Sequence, residues 1–247
     1  MEMLNSADFW IGLVKIIWIN IILSGDNAVV IALAARSLPP EQQKKAIMFG
    51  SGAAVVLRIV LTVVAAKLLE LSFLQVVRSE EHTSELELSF LQIVGGCLLL
   101  WIGYQLLTGD EDGEGESKGH GSMMTAIRTI LIADLVMSLD NVIAVAATAQ
   151  GNMVLLILGL AISIPLVIFG STLMIKLMER FPVIVTLGAA LIGWVGGETI
   201  VNDNLLHGYT MAHPWLHYAA AAAGAVLVVG LGKLMQARSA KKEVAAA

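Results

Sequence analysis

The sequence is poor in charged residues and has a single cysteine. Asp, Glu, Lys and Arg make up 14% of its 247 residues, whereas apolar residues make up 57% and the mean hydropathy is +0.81. A soluble domain carries about 25% charged residues, so this chain cannot cover a core with polar residues and needs lipid around it. The formal charge is −5 without any basic stripe. This composition excludes a soluble enzyme, a disordered protein and a nucleic-acid binder, and the lone Cys97 excludes an internal disulfide.

Long polar stretches are also scarce, and apolar runs dominate. A membrane helix needs about 20 apolar residues, and seven runs qualify, at roughly 9–35, 45–69, 91–107, 125–149, 153–177, 183–201 and 217–234. We therefore predict an all-α, polytopic bundle of seven transmembrane helices. The first run is not a cleaved signal peptide, because Glu2 and Asp8 precede it and it is too long.

The placement of Lys and Arg predicts the orientation, because cytoplasmic loops retain positive charge. With the N-terminus outside, the outer loops hold only Lys67 and Arg78. The inner loops and tail hold eleven: Arg36, Lys44, Lys45, Lys118, Arg128, Lys176, Arg180, Lys233, Arg238, Lys241 and Lys242. We predict a multi-pass protein of the plasma (inner) membrane with its N-terminus outside and its C-terminus in the cytoplasm.

The first and fourth runs share a polar motif. Ser-x-Asp-Asn at residues 24–27 recurs at residues 138–141, an offset of 114, and four of the nine residues from 24 to 32 are identical in the second copy. The same offset places Asn20 against Asp134. Since charged and amide residues are rare in membrane helices, their repetition indicates an internal duplication.

The remaining runs extend this duplication. The second run resembles the fifth at an offset of 109, with Gly50 on Gly159, and the third resembles the sixth at an offset of 93, with Trp101 on Trp194. A three-helix unit crosses the membrane an odd number of times, so its second copy is inverted, an arrangement typical of transporters with a site near the midplane. The predicted organisation is a first repeat at 1–107, an acidic cytoplasmic loop at 108–122, a second repeat at 123–201, and a seventh helix with a basic tail at 202–247.

Residues 76–92 interrupt the first repeat. The heptapeptide Leu-Glu-Leu-Ser-Phe-Leu-Gln at 69–75 recurs at 86–92, and removing 17 residues restores the offset of the third run to 110. Between the copies, residues 78–86 match the in-frame translation of a common sequencing adapter. We interpret 76–92 as an assembly artefact without function; the alternative is a natural acidic loop.

Charged residues inside membrane helices are costly and indicate function by default. The candidates are the carboxylates Asp26, Asp134, Asp140 and Glu198, with Arg58 as a buried cation. Arg58 is either a gate counter-ion to Asp26 or Asp140, or a packed ion-pair partner. The alternative for the polar residues as a group is structural, since they also cap broken helices or hold helices together.

Helical spacing adds amide and hydroxyl oxygens to these carboxylates. Residues i, i+4 and i+7 share a face, which groups Asn20, Ser24 and Asn27, and likewise Asp134, Ser138 and Asn141. The two motif aspartates then lie about 100° from the neighbouring Asn. Either they face another side of the bundle, or the helix unwinds locally, for which Gly25 is suited.

The oxygen-rich ligand set favours a hard divalent cation such as Mn, Ca or Mg. The predicted metal ligands are Asp26, Asn27, Asp134, Asp140, Asn141, Asn20 and Glu198. We expect the metal to be cargo, with no resident cofactor and with lipid as the other partner; the oligomeric state stays open. His207, His213 and His217 lie on the outer loop and at the start of the last run, where a solvated role competes with metal capture.

The segments N-I-I-L-S-G-D-N-A-V-V-I-A (20–32) and A-D-L-V-M-S-L-D-N-V-I-A-V-A-A (133–147) resemble the paired signatures of the TerC family of integral membrane proteins, most closely its YjbE-like branch, which is associated with manganese riboswitches. The resemblance covers nearly the whole chain except the insert, the acidic loop and the tail. It implies manganese efflux, or efflux of a wider set of divalent metals, and a historical link to tellurite resistance. The family motif falls on Asp26, Asn27, Asp134, Asp140 and Asn141.

Three functions compete at this stage. The leading prediction is a non-enzymatic exporter of a divalent cation, most simply manganese. The second is a membrane-embedded assembly or metallation factor, a role in which some TerC relatives are implicated. The third is an intramembrane aspartyl protease with two aspartates, but Asp26 follows Ser-Gly, Asp140 follows Ser-Leu, and the Pro-Ala-Leu triplet of such proteases is missing.

Overall fold

The fold is built from α-helices. The structure, a computed structural model, describes the backbone of residues 7–23, 25–70, 84–109, 122–149 and 153–246, and side chains within 9–18, 25–64, 91–109, 122–138, 154 and 157–238 except 163 and 204. Its helices are α1 (Ala7–Leu23), α2 (Gly25–Ala35), α3 (Pro40–Glu70), α4 (Ser84–Thr108), α5 (Met123–Ala149), α6 (Met153–Arg180), α7 (Val183–Val201), α8 (Asn204–Ala212) and α9 (Trp215–Ala246). These ranges contain no strand, so the all-α prediction is confirmed for them.

Five of the described helices are long and apolar enough to cross a membrane. The qualifying segments are Pro40–Val64, Leu91–Thr108, Ile157–Arg180, Val183–Val201 and Trp215–Arg238. They correspond to the second, third, fifth, sixth and seventh predicted runs. The fourth run corresponds to α5, whose side chains beyond Ser138 lie outside the described ones. The count of seven spanning helices therefore stays a prediction.

The first predicted run is divided into two helices. α1 ends at Leu23 and α2 begins at Gly25, and Ser24 between them lies outside the described residues. The division agrees with the local-unwinding alternative and not with one continuous helix. It places Asp26 in the first turn of α2, where the partial positive charge of a helix N-terminus stabilises a carboxylate.

The helices fall into two compact units. The first unit comprises Met1–Glu80 and Ser122–Lys176, and the second comprises Glu81–Gly121 and Leu177–Ala247. The first unit therefore contains α1, α2, α3, α5 and most of α6, which belong to the first, second, fourth and fifth predicted runs. The second contains α4, α7, α8 and α9. Each unit takes elements from both predicted repeats, and the inverted symmetry of those repeats stays a prediction.

In the first unit, α5 packs against α1, α2 and α3. Apolar residues spaced four and three apart on α1 share one face and form a buried cluster with residues of α3 and α6; its members are Phe9, Leu13, Ile16, Val55 and Leu160. Almost all of α2 beyond its first turn is buried. The short α2 is thus enclosed by the longer helices, and Asp26 lies at its exposed end.

Two glycines of the first unit make equivalent contacts. A Cβ on Gly50 of α3 would lie 2.8 Å from Cδ1 of Ile130 on α5, and a Cβ on Gly159 of α6 would collide with Ile16 of α1. Gly50 and Gly159 are repeat counterparts at an offset of 109, and Ile16 and Ile130 are counterparts at 114. Exchanging the two predicted repeats therefore converts one contact into the other.

In the second unit, glycines allow α7 to approach both α4 and α9 closely. A Cβ on Gly96 of α4 would lie 2.5 Å from the carbonyl oxygen of Gly196, and a Cβ on Gly193 would lie 2.6 Å from the carbonyl oxygen of Gly224 on α9. Small residues at such crossings let membrane helices gain van der Waals contact. This unit is consequently held together by close backbone packing.

Asp203 joins two helices of the second unit. It is fully buried, and its carboxylate accepts hydrogen bonds from the backbone N–H of Leu205, 3.0 Å away at the start of α8, and of Ile93, 3.3 Å away on α4. Its bond from Leu205 caps α8, satisfying a donor that would otherwise be unpaired at the helix N-terminus, and its bond from Ile93 connects that cap to α4. Asp203 therefore has a structural role, separate from the predicted metal ligands.

Candidate functional site

A buried ion pair lies between α3 and α5 in the first unit. Nη2 of Arg58 donates to Oδ1 of Asp134, and the two residues are only 3% and 7% exposed. Isolated charges of this kind are costly away from water, and pairing reduces the cost. The expected counter-ion for Arg58 was Asp26 or Asp140; its observed hydrogen-bonded carboxylate is instead Asp134, as in the ion-pair alternative.

Both carboxylate oxygens of Asp134 are engaged. The hydroxyl of Ser138, which is fully buried, donates to Oδ2 over 3.3 Å. This bond confirms the prediction that Asp134 and Ser138 share one helical face. A metal ion bound at Asp134 would therefore lie close to Arg58, and the two positive charges would repel each other.

Asp26 and Asn27 lie in the first turn of α2, which packs against α3 and α5. The backbone N–H of Asn27 donates to Oδ1 of Asp26 over 2.8 Å. The half-buried Asp26 carboxylate is attracted by Arg58 and repelled by Asp134. These three charged groups therefore form one electrostatic cluster, with a sum of −1 when all are ionised.

The Asn27 side chain is buried without a hydrogen-bond partner. It is 3% exposed, and neither its amide oxygen nor its amide nitrogen has a partner among the described residues. Leaving a buried polar group unpaired costs about 1–3 kcal/mol. Such a group is suited to a ligand, and its oxygen is a type of atom that hard divalent cations bind.

A polar stripe on α3 was missed in the sequence. Ser51, Arg58 and Thr62 are spaced by seven and four residues, so they share a face, and all three are buried. The Thr62 hydroxyl donates to the carbonyl of Arg58 over 2.7 Å, whereas the Ser51 hydroxyl has no partner among the residues described. The helical spacing rule used for α1 and α5, extended to residues i, i+7 and i+11, would have found this stripe on α3.

The other predicted ligands are not part of the described cluster. Asn20 lies on α1, and Asp140 and Asn141 lie on α5, but their side chains are outside the described set, as is Ser24. Glu198 belongs to α7 of the second unit and is exposed. Among the described residues, no three His, Cys, Asp or Glu side chains form a group that could hold a metal.

The histidines His207, His213 and His217 do not form a cluster either. His207 and His213 lie on and just after α8 and are exposed, and the ring of His213 packs edge-on against Trp215 at 6.5 Å between centroids. His217 is half-buried on α9. Trp215, Tyr209 and Tyr218 are exposed in the same region, as is typical of aromatic residues at a membrane interface. The acidic loop at 110–121 lies outside the described residues.

The chain is similar in sequence to known integral membrane proteins. The model of the integral membrane protein TerC family matches residues 5–241. The membrane protein YjbE of Bacillus subtilis is 42% identical over 206 residues, which are 83% of this chain and 86% of YjbE.

More distant relatives are longer than this chain. The inner membrane protein YoaE of Escherichia coli K12 is 26% identical over 211 residues, 84% of this chain but only 40% of YoaE. YkoY of Bacillus subtilis is 27% identical over 224 residues, 83% of this chain and 61% of YkoY. No solved structure matches the chain.

Proposed function

Because the chain belongs to the TerC family of integral membrane proteins, we propose that it exports a divalent metal cation, manganese in the first instance, across the cell membrane. The proposed transport site lies where α2 begins, opposite the Arg58–Asp134 pair. No covalent chemistry is involved, so the protein is not an enzyme in this proposal. The relatives' names support the membrane location. The residues favour a hard divalent cation, and the choice of manganese follows from the family resemblance.

The observation that carries the proposal is the buried amide of Asn27, which has no hydrogen-bond partner among the described residues and follows Asp26 in the first turn of α2. A residue that only held helices together would use its hydrogen bonds, because unpaired polar groups are costly in the absence of water. A ligand residue keeps its oxygen available. The division between α1 and α2 adds backbone carbonyls at the end of α1, and broken helices of this kind bind ions in other transporters.

The charge of the site also supports a divalent cargo. Asp26 and Asp134 with Arg58 sum to −1, and Asp140 of the repeated motif makes the sum −2 when it lies at the same site. Carboxylates close together in a medium of low dielectric constant repel one another strongly. A divalent cation would balance two such charges, with oxygen ligands at about 2.1–2.6 Å. Asn141 and Asn20 remain proposed ligands of this cargo; Glu198, in the second unit, stays a separate sequence-based prediction.

The membrane setting is supported by what the helices expose. Large apolar side chains such as Trp18, Phe169 and Val226 are more than half exposed. A surface of this kind is unfavourable in water and favourable in lipid. We further propose that the N-terminus lies outside and the C-terminus in the cytoplasm.

The test uses purified protein in liposomes that enclose a manganese-sensitive dye. We expect manganese to cross with the wild-type chain, and Asp26→Asn and Asp140→Asn to abolish transport while the variants still insert. Ser24→Ala should have a much smaller effect, because a hydroxyl is a weak and replaceable ligand. Glu179→Gln, which neutralises an exposed carboxylate near the end of α6, is the control and should transport normally.

Two results would contradict the proposal in different ways. Wild-type transport by both aspartate variants would mean that these residues hold helices together. Absence of transport by the wild-type protein in liposomes, with defects in other membrane proteins in cells that lack it, would favour the assembly-factor alternative. Intracellular manganese after a metal challenge, in a strain without its other exporters, provides the matching measurement in cells.

A further inference from the structure

The Arg58–Asp134 pair has no charged counterpart in the second predicted repeat. The repeat counterpart of Arg58 at an offset of 109 is Val167, and the counterpart of Asp134 at 114 is Asn20. The second position thus carries no charge pair. Nevertheless its surroundings match, since Gly159 packs on Ile16 as Gly50 packs on Ile130.

The hydroxyls beside the two positions match as well. Thr62 donates to the carbonyl of Arg58 over 2.7 Å, and its counterpart Ser171 donates to the carbonyl of Val167 over 2.8 Å. Both hydroxyl residues are fully buried. The two positions therefore share a glycine–isoleucine contact and a hydroxyl bonded to the carbonyl four residues before it, but Val167 is half-buried where Arg58 is buried. Burying an ion pair costs desolvation that apolar residues avoid, so its presence at only one of two matched positions requires another reason.

We propose that Arg58 is a tethered cation that takes the place of the metal at Asp134 when the transport site is empty. This inference rests on the proposed export function. An empty carrier must return through a state closed to water on both sides, and an uncompensated carboxylate makes that state unfavourable. Arg58 neutralises Asp134 in that state, so the empty protein can return and net efflux can continue.

The geometry makes Arg58 and the metal competitors. Both oxygens of Asp134 are engaged in the observed pair, and Arg58 also attracts the neighbouring Asp26. Two cations at one carboxylate repel each other. By linkage, Arg58 weakens metal binding by the same factor that bound metal weakens the pair.

This role differs from a structural one in the sign of a measurable effect. Arg58→Gln should bind manganese about tenfold more tightly, within the usual range of coupling between sites, because the competitor is gone. Exchange of manganese across the membrane should persist, since the loaded protein still moves between its two sides. Net efflux should fall at least about tenfold, because the empty protein cannot return.

The experiment measures both modes on the same liposomes. Net efflux is the loss of radiolabelled manganese into metal-free buffer, and exchange is its loss into buffer with unlabelled manganese. Arg58→Lys keeps a cation and should keep the wild-type ratio of net efflux to exchange. Lys176→Gln removes an exposed positive charge from α6 and is the control for lost charge.

A double variant separates the electrostatic role from folding. Breaking a buried pair by removing one member is strongly destabilising, so Arg58→Gln alone could fail to fold. Arg58→Gln with Asp134→Asn removes both charges and places an Asn, as at residue 20, where the carboxylate was. We expect this double variant to bind manganese more weakly and to transport less, but with the wild-type ratio of net efflux to exchange.

The outcomes are distinguishable. Equal loss of exchange and net efflux in folded Arg58→Gln, weaker manganese binding in that variant, or a double variant whose ratio of net efflux to exchange stays below that of wild type would each overturn the role of Arg58. If Arg58→Gln cannot be recovered from membranes, the ratio of the double variant decides alone. Absence of both modes in the wild-type protein would instead contradict the export function itself.

Discussion

Gly159 on α6 packs directly against the side chain of Ile16 on α1, leaving no room for a Cβ. The contact involves Cβ and Cγ2 of Ile16, which cannot swing away as the end of a long side chain can. Its counterpart, Gly50 on α3, meets the terminal Cδ1 of Ile130 first. The Ile130 side chain can therefore move away from a Cβ at residue 50 more easily than the Ile16 side chain can move away from a Cβ at residue 159.

This difference predicts that alanine at residue 159 lowers the free energy of unfolding more than alanine at residue 50. Gly159→Ala should lower the free energy of unfolding by about 1–3 kcal/mol, the usual cost of overpacking, whereas Gly50→Ala should cost less because Ile130 can change its rotamer. Gly52→Ala, on α3 with nothing within 4 Å of its Cβ, should be neutral or stabilising, since Ala favours helix. Thermal unfolding in detergent measures all three. Equal losses at Gly159 and Gly52 would contradict the packing argument.

Asn27 offers a test of ligand against structural role. Asn27→Leu removes a buried amide that has no partner among the described residues, so the unfolding temperature should stay the same or rise. Manganese transport into dye-loaded liposomes should nevertheless fall at least about tenfold, the effect of losing about 1.4 kcal/mol of binding. Asn202→Leu, at the exposed end of α7, is the matched control and should change neither. A less stable but fully active Asn27→Leu protein would show that the amide is structural.

The duplicated heptapeptide predicts that residues 76–92 are dispensable. Their removal joins Gln75 to Ile93 and restores the same local sequence, Ser-Phe-Leu-Gln-Ile. The backbone N–H of Ile93 that donates to Asp203 is retained. We expect the shortened protein to insert and transport as well as the full chain, or better. Loss of membrane insertion on deletion would identify a natural loop, and resequencing intact DNA checks the insert independently.

The distribution of Lys and Arg predicts a cytoplasmic C-terminus. A green fluorescent protein fused after residue 247 should fluoresce, and alkaline phosphatase fused at the same place should be inactive, because each folds on only one side of the membrane. The opposite pair of results would reverse the orientation. The repeat would be unaffected, since its alignment does not depend on which side is outside.

Much of the site could be predicted from sequence, because charged and amide side chains are energetically costly inside membrane helices and are therefore rare there. Polar residues are conspicuous in the apolar runs; they include Asp26, Asn27, Arg58 and Asp134. The repeated Ser-x-Asp-Asn motif relates the first run to the fourth. Helical period alone placed Ser138 beside Asp134, as the hydrogen bond between them confirms. The division of the first run was one of two alternatives that the spacing left open.

Partners between helices could not be predicted in the same way. Periodicity states which residues share a face of one helix, but a face is assigned to a neighbour only when the helices pack. The sequence therefore leaves Arg58 either as a counter-ion to Asp26 or Asp140 or as a packed ion-pair partner, and the packing of α3 on α5 brings it to Asp134. Asp203 was overlooked for the same reason, since its hydrogen bond from Ile93 joins segments that are distant in the sequence.

The sequence by itself determined the membrane environment, the helical class and the residue types of the site, because composition and helical period act locally along the chain. Only the tertiary structure decided which charges neutralise each other and which polar groups remain available. Those properties arise from distances between helices, and electrostatic interactions depend steeply on distance and burial. The pairing of Arg58 with Asp134, and an Asn27 amide without a hydrogen-bond partner among the described residues, are properties of that second kind.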